Sequence, residues 1–350
     1  MRLNPPTKRT RIADVAREAG VSKTAVSFAF NKPDQLSPGT ARRILDVATA
    51  MGYRPHPVAR MLTQRRTMSI GVVTPQALST TFANHYFGQF SEGVALIAEE
   101  AGYGLTFISP EPGSLATALD RATVDGLVVI GLTTGNPEIE RIRAAGIPIV
   151  LVDSTAMADV PSIRVDDEGG AYEAAGHVLD LGHREVLIVV IAPQALYPPG
   201  SDNGVGPDRL RGYVRAFRER SLPFPQSRLM SAPSTIQGGR EVFESAWTAG
   251  IRPTAVVAMS DAIAIGVLAA ARSLGLRVPD ELSIVGFDDI DIAAHIDPPL
   301  TTVHQPIRRK GEAAMRTLLA LVEHEEGDRI DQRALATRLI VRGSTASPPA

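Results

Sequence analysis

The chain has 350 residues, no cysteine and a formal charge of −2, which excludes structural disulfides and thiolate metal sites. Its length allows two or three domains with sizeable cores, and no apolar run approaches the roughly 18 residues that a membrane span needs. The charge is unevenly placed: residues 1–66 hold 13 Lys/Arg against 4 Asp/Glu, a net +9, and the rest holds 23 against 34, a net −11.

A basic head on an acidic body attracts a polyanion at one end and repels it at the other. The N-terminus has no apolar core of a secretory signal, so a cytoplasmic location is expected.

In chain order, Ile12, Val15, Ala16 and Ala19 recur at helical spacing and predict a first helix, ended by Gly20. Ser22 is a suitable N-cap for a second helix. Its apolar side is Val26, Ala29 and Phe30, leaving Lys23, Thr24 and Ser27 outward near its start. Ser37-Pro38 opens a third helix with Ala41, Ile44, Leu45 and Ala48 along one stripe, and Gly52 closes it. A tight helix pair followed by a third is the pattern that places a recognition helix in the major groove of DNA. The same pattern also suits a protein-binding bundle, and the charge favours DNA.

Next comes Tyr53-Arg54-Pro55-His56-Pro57, then Val58 to Gln64 as a short helical stretch. An isolated helix under about 12 residues is marginal in water, so this one is expected to fold only on a partner. With Arg60, Arg65 and Arg66 alongside, that partner is DNA backbone, and Leu62 is either a wedge between base steps or linker packing.

From Ser69 the texture changes. Strand-like runs at 70–73, 105–108, 127–130 and 149–152, then 186–190, 255–258 and 283–285, alternate with helical segments. Continuous apolar strands between helices predict parallel sheets covered on both faces, and two series predict two lobes. The polar residues that follow strands are Asp153, Asp261, Asp288 and Asp289, with Arg209 and Arg211 opening a helix after a long loop. Ligands bind open α/β sheets at such strand ends. Carboxylates and a guanidinium between two lobes suit a polyhydroxylated ligand. Asp261 reads instead as the cap of the helix after it. No catalytic motif or phosphate loop is present, and His183 and His304 read as a post-helix turn residue and a strand end. No enzyme, cofactor or metal is expected. The C-terminal Gly343–Ala350 reads as a frayed tail without a leucine heptad.

These pieces resemble the lac-repressor/gal-repressor (LacI/GalR) family of bacterial transcription regulators over nearly the full length. The resemblance is carried by Asp14-Val15-Ala16-Arg17-Glu18-Ala19-Gly20-Val21-Ser22, Gly52-Tyr53-Arg54-Pro55, Asn84-His85-Tyr86-Phe87 and Leu181-Gly182-His183-Arg184, then by the run Pro279–Asp289 and Pro299-Leu300-Thr301-Thr302-Val303. It implies an all-α helix-turn-helix head (1–53), a hinge (54–66) and a two-lobed, periplasmic-binding-protein-like α/β body (67–350). The lobes are expected at 67–165 and 166–295, with 296–345 crossing between them. It further implies a homodimer, or a dimer of dimers, on a near-palindromic operator, with affinity modulated by a small ligand, by default a sugar that induces release, a corepressing ligand reversing the sign. DNA contacts fall on Ser22, Lys23, Thr24, Ser27, Phe28, Arg60 and Leu62, and ligand contacts on Tyr86, Phe87, Asp153, Arg209, Ser260 and Asp288.

Three positions depart from the family pattern. Phe28 stands where many members have a base-reading Arg. His56 replaces an Asn at the hinge start, and Ser260 replaces an Asn that often touches ligand. The loop 197–204 is long. The competing readings are a solute-binding protein without a DNA role and an enzyme on sugars or nucleotides.

Overall fold

The computed structural model describes residues 10–53, 66–74, 77–109, 123–131, 142, 144, 146–154, 157, 159–192, 204–323 and 332–349. The expectations for Arg60, Leu62, His56 and, but for Gly204, the loop 197–204 lie outside the described residues. The chain separates into two units, one ending at Thr67 and one beginning at Met68.

The first unit packs α1 (Ile12–Glu18), α2 (Lys23–Asn31) and α3 (Pro38–Ala50). Val15, Ala16, Ala19, Val26, Ala29, Ile44 and Ala48 bury together, and Phe30 meets Tyr53 edge-on at 5.8 Å. Gly20 takes φ +65°, the left-handed turn between α1 and α2. Ser22 caps α2 by accepting from Ala25 N (3.1 Å), and Ser37 caps α3 by accepting from Thr40 N (3.3 Å). A short 3-10 turn, Pro33–Gln35, joins α2 to α3. Leu45 departs from the expected stripe and is exposed; Ile44 and Ala48 are the buried residues of α3, with Val47 and Met51 packed partly against the same core.

The second unit holds two six-stranded sheets of one topology. The N-lobe sheet runs β11-β5-β4-β3-β1-β2. Its strands are β1 (Ser69–Val73), β2 (Gly104–Ile108), β3 (Gly126–Ile130), β4 (Ile149–Val152), β5 (Ser162–Val165) and β11 (Gln332–Leu335), and all neighbours pair in parallel. The C-lobe sheet runs β12-β10-β9-β8-β6-β7. Its strands are β6 (Val186–Ile191), β7 (Leu229–Ala232), β8 (Ala255–Ala258), β9 (Ser283–Asp288), β10 (Thr301–His304) and β12 (Arg338–Ile340). Only β12 is antiparallel to its neighbour among the paired strands.

Alternation along each strand feeds both faces of its sheet. In the C-lobe, Leu187, Val189, Val256 and Ala258 join the cluster with α8 (Ile236–Thr248) and α9 (Asp261–Ser273). Val186, Ile188, Val257, Val285 and Phe287 join that with α6 (Asp167–Asp180) and α7 (Val205–Glu219). In the N-lobe, α4 (Leu78–Ala83) precedes α5 (His85–Glu100), and Phe90 and Val94 of α5 pack with Ile70, Val72, Val128 and Val150.

The end of the chain crosses between lobes. Leaving β10 of the C-lobe, it forms α10 (Ile307–Glu323), whose Ala314, Met315 and Leu318 bury in the cluster with α5 and the N-lobe strands. Gly93 and Gly311 let α5 and α10 touch backbone to backbone: a Cβ at Gly93 would lie 2.0 Å from Arg308 O, and one at Gly311 2.3 Å from Phe90 O. The chain then adds β11 to one sheet and β12 to the other.

The terminal segment is stitched down rather than frayed. Ser344 is 0% exposed; its Oγ donates to Ile284 O (2.6 Å) and accepts from Thr301 N (2.8 Å). Ala346 N donates to Ser283 Oγ (3.0 Å), and Ala346 O sits 2.8 Å from His183 Nε2. Its small hydroxylated residues supply the partners that the backbone of β9 and β10 needs, since a buried polar group without one is costly. His183 is correspondingly more than a turn residue, buried between Thr254, Ser283 and Ala346.

Candidate functional site

On the head, Ser22, Lys23 and Thr24 are exposed at the start of α2, and Ser27 and Phe28 follow one turn later, half-buried. Ser27 Oγ accepts from Asn31 Nδ2 at 3.4 Å. Phe28 is outside the head's apolar cluster. Thr24, Ser27 and Phe28 lie on the side of α2 away from Val26, Ala29 and Phe30, and the five positions together bring a cation, three hydroxyls and an aromatic ring to the start of a helix, where the peptide dipoles favour an anion.

In the body, the strand ends bend sharply. Asp153 after β4 and Asp288 and Asp289 at the end of β9 have φ of 49°, 130° and 59°. A non-glycine residue there stores about 1–3 kcal/mol of strain, a cost that clusters at functional positions. Aspartate is among the residues that tolerate the left-handed region best. The effect here is to turn the Asp153 and Asp288 carboxylates in between the lobes, whereas the Asp289 carboxylate pairs with His304 and Arg342.

The N-lobe supplies Tyr86 near the start of α5, Asp153 and Lys310 of α10. The Tyr86 hydroxyl donates to Asp153 Oδ2. Lys310 Nζ lies 2.8 and 2.9 Å from the two Asp153 oxygens, 2.6 Å from Gln305 Oε1 and 3.2 Å from the Tyr86 hydroxyl. Gln305, between β10 and α10, donates through Nε2 to Asp288 Oδ1 of the C-lobe (2.6 Å). Asp288 Oδ1 lies 3.7 Å from Arg209 Nη1. Arg209 of α7 donates to Asp167 Oδ1 (2.8 Å) and to Met259 O, and its guanidinium stacks 3.5 Å over the Phe287 ring. A polar chain thus runs without interruption from one lobe to the other.

A second link crosses beside it. Asn84 Nδ2 donates to Ser234 O (3.2 Å), and the Ser234 hydroxyl donates to Ser260 Oγ (2.9 Å). Arg164 of β5 also reaches Asp208 of α7.

Burial sets the protonation of this cluster. It pushes Asp288 up to about 6, against the opposing pull of Arg209. It raises Asp167 despite the guanidinium at its side. It carries the Tyr86 phenol well above its ordinary value, with the Asp153 carboxylate adding to the rise. Burial opposes the charge of Arg209, but Asp167 and Asp288 outweigh it and hold that pKa above the usual arginine value. Tyr213 is raised by burial too, and its buried hydroxyl has no hydrogen-bond partner among the described residues.

Of the expected ligand residues, Tyr86, Asp153, Arg209 and Asp288 meet in this one chain. Phe87 packs edge-on against the Tyr86 ring (5.2 Å) within the N-lobe core. Ser260 sits at the rim of the cluster as the N-cap of α9, accepting from Ile263 N (3.3 Å). That corrects the expectation for Asp261, which is not the cap. Its carboxylate accepts from Ile290 N (3.0 Å) and the Thr302 hydroxyl, tying β9 and β10 to α9. Arg211 pairs with Asp208 and Glu168 instead of entering the cluster. Sequence reasoning missed Lys310, Gln305, Asp167 and Tyr213. Lys310 was marked by its place on the apolar stripe Ile307, Gly311, Ala314, Met315 and Leu318, where a lone charge needs an explanation. Among the described residues, no group of three or more His, Asp or Glu could hold a metal ion.

A helix-turn-helix head on a two-lobed body with a polar interlobe cluster defines the class: a DNA-binding regulator with an effector domain. Residues 11–56 match the model of bacterial regulatory proteins of the lacI family, and residues 175–345 match that of a periplasmic-binding-protein-like domain. The chain is 32% identical over 97% of its length, and 98% of the relative's, to the HTH-type transcriptional regulator MalR of Streptomyces coelicolor. It covers the whole of one chain in a structure of the lac repressor dimer bound to operator and an anti-inducer, with 97% of its own length aligned, 25% identity and a TM-score of 0.81. A CelR–cellobiose complex is likewise fully covered, over 96% of this chain, at 26% identity and a TM-score of 0.70. The chain belongs to the LacI family of bacterial transcription regulators, which are DNA-binding proteins and not enzymes.

Proposed function

We propose that this chain is an operator-binding repressor whose effector is a small polyhydroxylated ligand, a sugar, taken up between the lobes. The observation that carries this reading is the buried chain of carboxylates, phenol, guanidinium and amide that joins the two lobes. Such groups pair the alternating donors and acceptors of a polyol. Relatives in the family include a structure with cellobiose and a dimer on its operator.

In this reading the protein acts as a homodimer in the cytoplasm, on a near-palindromic site. Lys23, Thr24, Ser27 and Phe28 face the bases, and Ser22 lies at the phosphates. Arg60 and Leu62 act from the hinge. Phe28 offers an apolar contact, suited to a thymine methyl, in place of a guanidinium that reads guanine. Tyr86, Asp153, Arg209, Ser260 and Asp288 contact the ligand, with Phe87 holding the Tyr86 ring. Ligand binding changes the angle between lobes and releases the operator, by no more than its differential affinity for the two shapes. No helix among the described residues is long and apolar enough to cross a membrane.

The test is selection of a duplex from a randomised library by the intact chain, followed by titration of that duplex. A chain beginning at Thr67 is expected to lose binding altogether. For a dimer making six or more phosphate contacts, raising salt from about 50 to 200 mM weakens binding by roughly 10³-fold or more. Selective binding by the shortened chain, or affinity indifferent to salt, would refute the reading.

A further inference from the structure

Lys310 is 0% exposed, yet its ammonium has found a partner for each of its three donors: Asp153, Gln305 and the Tyr86 hydroxyl. A buried charge is tolerated only when paired and hydrogen-bonded in this way. Two of those partners belong to the N-lobe. The third, Gln305, is fixed in orientation because its oxygen accepts from Lys310 while its nitrogen donates to Asp288 of the C-lobe. Lys310 itself is placed by the backbone contact between α5 and α10 at Gly93 and Gly311, the latter its immediate neighbour. The ammonium is therefore held rigidly from behind.

The consequence concerns the ligand. Asp153 and Asp288 are the acceptors that the hydroxyls of a ligand would use, and both are engaged, one by Lys310 directly and one through Gln305. Asp153 already accepts from Lys310 and from the Tyr86 hydroxyl, so a neutral polyol that takes over its oxygens does so in competition with a tethered cation.

We propose that Lys310 is a built-in occupant of the interlobe cleft, which holds the lobes in the ligand-free, operator-binding arrangement and which an effector must displace from Asp153. This rests on the proposed reading that the cleft governs DNA binding. By linkage, whatever competes with the lock shifts the chain away from the state the lock stabilises, so removing the lysine weakens the operator complex.

The test uses the full chain and the duplex that the intact protein selects from a randomised library. Failure of the intact chain to select any duplex would defeat the functional reading and not the lock. Lys310→Ala removes a segment with the dimensions of n-propylammonium. Its operator affinity is expected to fall at least about tenfold and to return towards the intact value with n-propylammonium chloride. Tetramethylammonium chloride at equal concentration, a cation without an N–H donor, is expected to restore nothing. Lys310→Met, close in size and uncharged, is expected to keep its folded circular-dichroism spectrum, bind the duplex as weakly, and resist rescue because its side chain fills the space.

Operator binding by either folded variant equal to that of the intact chain overturns the proposal. So does a weakness that tetramethylammonium relieves as well as n-propylammonium does. Should Lys310→Ala be unfolded, n-propylammonium is expected to restore its spectrum and its operator binding together, and recovery of neither overturns the proposal too.

Discussion

Asp288 shows how much one side chain carries here. It ends β9 in a left-handed conformation, accepts from Gln305, faces Arg209 and lies in a buried site that pushes its pKa from 3.8 to about 6. Between those values the folded chain binds a proton that the unfolded chain has released. The contribution to stability is therefore full below the lower value and is lost as pH rises through the upper one. Asp288→Asn should flatten that slope, read as the change in melting temperature between pH 4 and pH 6. An unchanged slope would show that the carboxylate is ionised throughout. Asp261, buried and facing the Asp288 carboxylate, is raised as well, to about 8. Its slope therefore adds to that of Asp288 between pH 4 and pH 6 and continues above it, so the Asp288 effect is read as the difference between the intact chain and Asp288→Asn within the lower window.

Among the elements, the decisive contact is that of α5 with α10. At Gly93 a methyl group would stand 2.0 Å from a backbone carbonyl, with no flexible side chain to move aside. Gly93→Ala should destabilise the body by about 1–3 kcal/mol through overpacking, seen as a lower melting temperature with the head's own transition unchanged. Full stability would mean that the helices slide apart freely. The elements also show what a sequence makes legible. Strands with four consecutive buried apolar residues, such as Leu127–Ile130 and Ala255–Ala258, announce themselves. β5, β7, β11 and β12 did not, because they are three or four residues long and carry arginine, serine or glutamine.

The site was legible where polar residues follow strands, at Asp153 and Asp288. It was hidden where a group reaches it from a helix across the lobe boundary, as Lys310 and Gln305 do. Asp261 misled because Asp and Ser are equally good caps, and only the fold shows that Ser260 takes that role while Asp261 binds the neighbouring strands. The terminal segment misled because Ser, Thr and Pro read alike in a loose tail and in a strap bonded to β9 and β10.

At the scale of the whole molecule, the two units divide the chemistry. The basic 1–66 segment carries a net +9 that attracts a polyanion, and the remainder carries a net −11 that repels one. The central claim is that occupancy of the cleft sets operator affinity. Coupling of this kind is reciprocal, so the factor by which a ligand changes operator affinity must equal the factor by which operator changes ligand affinity.

The most direct measurement begins with a panel of mono- and disaccharides, cellobiose included, screened by the melting temperature of the intact chain. Any sugar that stabilises it is then titrated calorimetrically with and without the selected duplex, and the duplex with and without the sugar. The account predicts a shift of about tenfold or more, equal in both directions and lost in Asp153→Asn. A sugar that binds with its affinity lowered by Asp153→Asn, yet leaves the operator dissociation constant where it was, would contradict it.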